Sequence, residues 1–193
     1  MKNFIKTIVA VYAVFCCFGA KAQTQEEMQK WTLYMTPSDM QKMLAKSSGE
    51  WNEELTFWMD PAHPEMEQKM TASCTNTMIL GGRYQQTVHK GQFEGMPFEG
   101  IETLGYDNLL KRFVSTWIDN MGTGMMYMEG TWDEATKTVV FVGQMTDPAT
   151  GKQVGTRQVF KIIDDDTHEV TQYQQDKDGK EFKSMYIKLT RKK

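Results

Sequence analysis

Between Gly81 and Asp133 the chain reads GGRYQQTVHKGQFEGMPFEGIETLGYDNLLKRFVSTWIDNMGTGMMYMEGTWD, short alternating runs cut at close intervals by Gly, Pro, Asn and Asp. Such regular punctuation describes an antiparallel meander, and meanders of this length tend to close into barrels. The same pattern runs on to the C-terminus. It predicts strands at about 50–58, 67–79, 83–93, 97–105, 109–118, 123–132, 137–146, 152–162, 168–175 and 181–190. Asp107-Asn108, Asp133 to Thr136, Asp147 to Gly151 and Asp176 to Gly179 supply turn residues between them. Ahead of the strands, Thr36-Pro37-Ser38-Asp39 opens a short helix to about Ser47, with Met40, Met43 and Leu44 at helical spacing and Gly49 after its end. The expected fold is all-β: an antiparallel up-and-down barrel of about ten strands with a short N-terminal helix. Closure is expected because an open sheet this long would expose two edges.

The first 22 residues carry a different message. Lys2 and Lys6, an apolar run from Ile8 to Phe18, and Ala20-Lys21-Ala22 have the layout of a secretory signal peptide. The run is shorter than the roughly 20 residues a bilayer-spanning helix needs. Cys16 and Cys17 invite a lipoprotein reading, but no small residue stands before them where one would be expected. Export to the periplasm or beyond is therefore expected, without a stable membrane anchor. The organisation follows as signal peptide 1–22, a polar lead-in 23–36 whose order the pattern leaves open, and one barrel domain over 37–193. The net charge of −3 becomes more negative once Lys2, Lys6 and Lys21 are removed. A scattered acidic balance excludes nucleic acid as a partner, which needs a basic face. Only Cys74 survives cleavage, so no internal disulfide is available and the fold must rest on its core. Cys74 itself reads as a small buried hydrophobe.

Gly49-x-Trp51 begins the first strand and Arg191 ends the last. In a closed barrel these strands are neighbours, so the guanidinium could lie on the indole and plug the base. This set resembles the Gly-x-Trp and C-terminal Arg signature of the lipocalin and calycin superfamily, and its implied role is barrel closure. A longer likeness runs from about 45 to 193. Gly81-Gly82-Arg83, Gly105-Tyr106-Asp107-Asn108, Trp117-Ile118-Asp119-x-Met121-Gly122-Thr123 and Thr190-Arg191 resemble the bacterial domain-of-unknown-function family 1579. That resemblance implies a lipocalin-like barrel and carries no activity, cofactor or catalytic residue with it.

The residues themselves demand no particular chemistry. His63, His89 and His168 show no metal-ligand spacing, and the expected reading is surface histidines with no metal and no cofactor, although haem on one of them is conceivable. Met121, Met125, Met126 and Met128 cluster, with Met126 and Met128 on one face; thioethers suit Cu(I), yet methionine also lines adaptable apolar cavities. Asp164-Asp165-Asp166 lacks the spacing of a calcium loop and reads as a turn. No G-x-S-x-G elbow occurs.

Aromatic and arginine placement leads further. By alternation Trp51, Leu55 and Phe57 share an inner face. Tyr84, Gln86 and Val88, Leu104 and Tyr106, Phe113, Ser115 and Trp117, and Met185, Ile187 and Leu189 are assigned inward beside them. Arg83 or Arg157, if inward, would require an anionic partner. The candidate ligand-binding residues are Phe57, Arg83, Tyr84, Tyr106, Trp117, Met126, Arg157 and Met185. The expectation is an exported barrel that binds a small apolar or amphipathic molecule in its cup, with one Arg or Tyr fixing the polar end. Two alternatives stand beside it. One is a hydrolase or isomerase in the same cup using Asp107, Asp119 or Tyr106; the other is a filled barrel with a structural or interaction role. Oligomeric state is not readable from the pattern.

Overall fold

The computed structural model describes residues 24–63, 65–176 and 178–193. The segment read as a signal peptide lies outside the described residues. Two helices precede the sheet: α1, Gln25–Met35, and α2, Asp39–Lys46. The strands are β1 Gly49–Phe57, β2 Gln68–Ile79, β3 Tyr84–Phe93, β4 Met96–Asp107, β5 Arg112–Asp119, β6 Met126–Asp133, β7 Thr138–Asp147, β8 Lys152–Asp164, β9 Thr167–Gln175 and β10 Glu181–Arg191. Each pairs antiparallel with the next, and β1 pairs with β10 from Trp51↔Arg191 to Phe57↔Met185, so the sheet is a closed ten-stranded barrel. Residues Thr36–Lys193 form one compact unit.

Helix α1 occupies what the pattern gave as a polar lead-in. Thr24 caps it: its hydroxyl accepts the Glu27 N–H, and the Glu27 carboxylate accepts the Thr24 N–H. Trp31 and Tyr34 meet edge-on along it at 6.3 Å. Among the described residues no helix is long and apolar enough to cross a membrane.

Helix α2 closes one end of the barrel. Ser38 caps its start, with Gln41 completing the capping box, and Gln41 Nε2 also donates to the Tyr106 carbonyl at 2.9 Å. Leu44 enters the core with Leu104, Phe113, Met128, Val139 and Phe141. The carbonyls left over at the C-terminus of a helix need partners, and here barrel side chains provide them. Gln85 Nε2 donates to Leu44 O at 2.7 Å, and Trp51 Nε1 and Asn76 Nδ2 donate to Ser47 O at 2.9 and 3.0 Å. Arg191 donates to Lys46 O and Ser48 O, both at 2.8 Å. Its guanidinium carbon lies 4.3 Å from the Trp51 ring centroid, and His168 stacks on the same indole at 4.5 Å. Gly49, with φ +118°, makes the reversal from α2 into β1 that a side chain would strain. Trp51, Phe113 and Phe141 are fully buried at this end, and burying each such side chain contributes roughly 1.5–3 kcal/mol.

The ladders correct several expectations. β5 begins at Arg112 rather than near 109, because the Asp107 carboxylate accepts the N–H groups of Leu109 and Leu110 and curls 108–111 into a turn. β6 begins at Met126, leaving Met121 and Met125 exposed outside the strand. On β3 the inward residues are Gln85, Thr87 and His89. Tyr84, Gln86 and Val88 face outward, the opposite of the sequence assignment. Arg83 lies exposed in the β2–β3 turn and donates to Leu80 O. Arg157 faces outward, paired with Glu181 and stacked on Tyr173 at 3.9 Å. Two of the three histidines are not on the surface: His168 is buried, and His89 points into the barrel.

Candidate functional site

Helix α2 packs across one end of the barrel, the base, and the opposite end is the rim. In a closed barrel an inward side chain can meet water only through the interior or an end. Toward the α2 end Trp51, Phe113 and Phe141 are fully buried, although Met78, Tyr106, Trp132 and Phe160 there keep partial exposure; toward the other end Leu55, Phe57, Met70, Trp117, Met126, Gln172, Gln174 and Met185 are all partly exposed. The interior between them is a cup with α2 as its base. At its rim a pocket of about 80 Å³ is lined by Phe57, Gln68, Met70, Gln92 and Phe93, among others. Phe57 and Phe93 meet there edge-on at 6.2 Å.

Between rim and base lies an acidic and hydrogen-bonding band. β1, β2 and β3 bring Glu53, Cys74 and His89 together. Cys74 and His89 are register partners, and Glu53 sits one strand further on, diagonal to Cys74. His89 Nδ1 is 2.9 Å from Glu53 Oε1, and the two side chains are 14% and 2% exposed. Cys74 is a free, buried thiol. Burial first, and then the neighbouring Glu53 carboxylate, push that thiol well above its ordinary range, so it stays protonated. A Cys–His–acid set could suggest a nucleophile, but a catalytic thiol needs a depressed pKa. This thiol is held in the opposite state.

The band continues around the wall. Glu102 accepts the Ser115 hydroxyl at 2.7 Å, and Asp119 accepts Trp117 Nε1–H at 2.7 Å. Trp117 leans on His89 with ring centroids 5.1 Å apart. Gly100 makes room for it: a Cβ there would come within 2.5 Å of the indole. Opposite, Gln172 Nε2 donates to Thr156 Oγ1 at 3.4 Å, and Gln174 Nε2 approaches the Met145 sulfur at 3.3 Å. Among the described residues the buried polar set includes Glu53 and His168 but no Arg or Lys. His89 Nε2 is buried with no hydrogen-bond partner. When Nδ1–H donates to Glu53, Nε2 presents a bare lone pair.

Of the residues put forward from sequence, Phe57, Trp117, Met126 and Met185 line the cup. Tyr106 also points inward but packs at the base, 4.9 Å from Phe113. Arg83, Tyr84 and Arg157 stand outside, so the idea of an arginine fixing an anionic end fails on strand parity. Met128 is buried in the core beside Leu104 and Phe113. Asp107 is spent on its turn. Glu53, Cys74, His89 and Glu102 were not among the sequence candidates, although Glu53 stands in phase between Trp51 and Leu55.

A family model described as "Protein of unknown function (DUF1579)" matches residues 36–191. No curated protein matches the sequence. Among solved structures, the crystal structure of Rv2717c from M. tuberculosis superposes with a TM-score of 0.61 at 12% identity, covering 82% of this chain and 100% of that one. At that identity the likeness shows the fold alone.

Proposed function

The chain belongs to the DUF1579 family, and from its interior we propose that it is a binding protein for a small, partly apolar molecule whose polar end is cationic or donates hydrogen bonds. One observation carries this reading. The interior combines an apolar upper wall (Leu55, Phe57, Met70, Trp117, Met126) with the acceptors Glu53 and Glu102, and no Arg or Lys is buried among the described residues. Apolar burial supplies affinity, and the few polar groups orient the guest. An anionic end would meet like charges in that band and lose that advantage. The layout of 1–22 supports export, which puts the guest outside the cytoplasm.

The experiment compares dodecylammonium with dodecanoate, two amphiphiles of one chain length and opposite charge, by titration of Trp fluorescence on metal-free protein. Binding of the cation tighter by about tenfold, corresponding to about 1.4 kcal/mol, and loss of that preference in Glu102→Gln, is the expected result. Equal affinity, preference for the anion, or binding of neither would overturn it.

A further inference from the structure

We propose that Glu53, Cys74 and His89 form a binding site for a single borderline divalent cation of the Zn²⁺ class, set in the wall of the cup. A carboxylate oxygen of Glu53, Sγ of Cys74 and a ring nitrogen of His89 all lie within 4.8 Å of one another. Zinc–ligand bonds of about 2.0–2.3 Å place tetrahedral donor atoms roughly 3.3–3.8 Å apart. The Glu53–His89 contact of 2.9 Å must therefore open by about 0.5 Å, and no donor need approach another by more than about 1 Å. Three adjacent strands in fixed register hold the residues, so the backbone frame exists before any ion arrives.

The donor set selects the ion. One thiolate, one imidazole and one carboxylate are the mixed S, N and O ligands that zinc accepts, whereas Mg²⁺ and Ca²⁺ take oxygens. Three protein ligands leave a fourth position open, the arrangement of zinc sites that bind a further molecule rather than only brace a fold. His89 is 14% exposed and touches Trp117 on the inner wall of the cup.

A second observation argues for an occupant. Glu53 is buried with no Arg or Lys among its hydrogen-bond or ion-pair partners, and the neighbouring Nε2 of His89 is buried without any. A buried acid and an orphaned ring nitrogen side by side are unfavourable in a protein interior. A divalent ion relieves both charge and coordination. On binding, the S–H bond of Cys74 breaks, an S–metal bond forms, and the proton leaves to solvent; the imidazole coordinates through a lone pair, and nothing is oxidised or reduced. The ion thereby holds the sulfur as thiolate.

The test adds Co²⁺ and then Zn²⁺ to the chelator-stripped protein. One equivalent of Co²⁺ should bind with a thiolate-to-cobalt charge-transfer band, and Zn²⁺ should displace it. Cys74→Ser should abolish the band and weaken Zn²⁺ binding by about 100-fold, and His89→Gln should weaken it by at least about tenfold. X-ray absorption on the unmutated Zn²⁺-loaded protein should show one sulfur among nitrogen and oxygen neighbours, a readout that requires no variant to fold. Absence of a cobalt band, a sulfur-free zinc shell, or unchanged affinity in Cys74→Ser would overturn the proposal. The amphiphile comparison uses metal-free protein, so either proposal can fail while the other stands.

Discussion

The two halves of the barrel interior hold polar groups differently, although each keeps a buried atom without a partner, Asn76 Oδ1 at the base and His89 Nε2 above it. At the base, Trp51, Arg191, His168 and the C-terminus of α2 interlock. The last helical carbonyls, the indole N–H and the guanidinium all find partners there. A few ångströms up β1, Glu53 lies buried beside an imidazole with an orphaned nitrogen and a thiol kept protonated. The base is arranged to stabilise. The band above it leaves a buried ring nitrogen without a partner, an arrangement that costs stability. Trp51 and Glu53 stand two residues apart on one face of one strand, so the boundary between these regimes is sharp.

Substitutions should therefore move stability in opposite directions across that boundary. The largest effect is expected from Trp51→Ala, which removes a fully buried indole together with its Arg191 and His168 stacking. Loss of about 4 kcal/mol should lower the chemical-denaturation midpoint steeply.

Next comes acid. Burial, with help from the Arg191 guanidinium and against the pull of Asp164 and Asp165, lowers the His168 pKa from 6.5 to about 4. The folded state keeps the ring neutral while the unfolded chain takes up a proton below 6.5. This contribution is thus fully present above pH 6.5, is lost as pH falls toward 4, and levels off below. The loss amounts to about 3 kcal/mol. Stability curves of the wild type and His168→Phe, compared between those limits, should diverge by that amount; parallel curves would refute the assignment.

Arg191→Lys keeps the charge but loses the planar fork that reaches Lys46 O, Ser48 O and Asp165 O together. It should cost about 2 kcal/mol, read from thermal unfolding. The smallest effect should carry the opposite sign. Glu53→Gln keeps an oxygen that can accept from His89 while removing a buried acid that has no Arg or Lys partner, and it should stabilise the metal-free protein by about 1 kcal/mol. A clear destabilisation would mean that the band is structural like the base.

Much of the frame was legible because turn chemistry is local. Asp, Asn and Gly marked nearly every hairpin, and Ser38 with Gln41 carried the capping box of α2. Local rules also explain the misses. Asp107 looked like a two-residue turn, yet its carboxylate gathers two N–H groups and shifts the start of β5. Thr24 and Glu27 with Met28, Trp31 and Met35 held a helix signature that the polar surroundings obscured. The site was illegible for a different reason. On β3 the larger apolar residues, Tyr84 and Val88, face out, while Gln85, Thr87 and His89 face in, so choosing the greasier face inverted the assignment. Glu53, Cys74 and His89 lie on three strands, and only the ladder register brings them together.

The pairing of β1 with β10 also has a consequence for biosynthesis. The strands from β2 onward can zip to their predecessors as the chain emerges, but β1 keeps one bare edge until the final strand is made. Closure is the longest-range contact in the molecule and so the slowest to form. Arg191 at the end of β10 completes it by stacking on Trp51 across the seam. A chain lacking β10 would display an open sheet edge ready to pair with another chain. The tenth strand thus decides whether the sheet stays available to other molecules or shuts on itself.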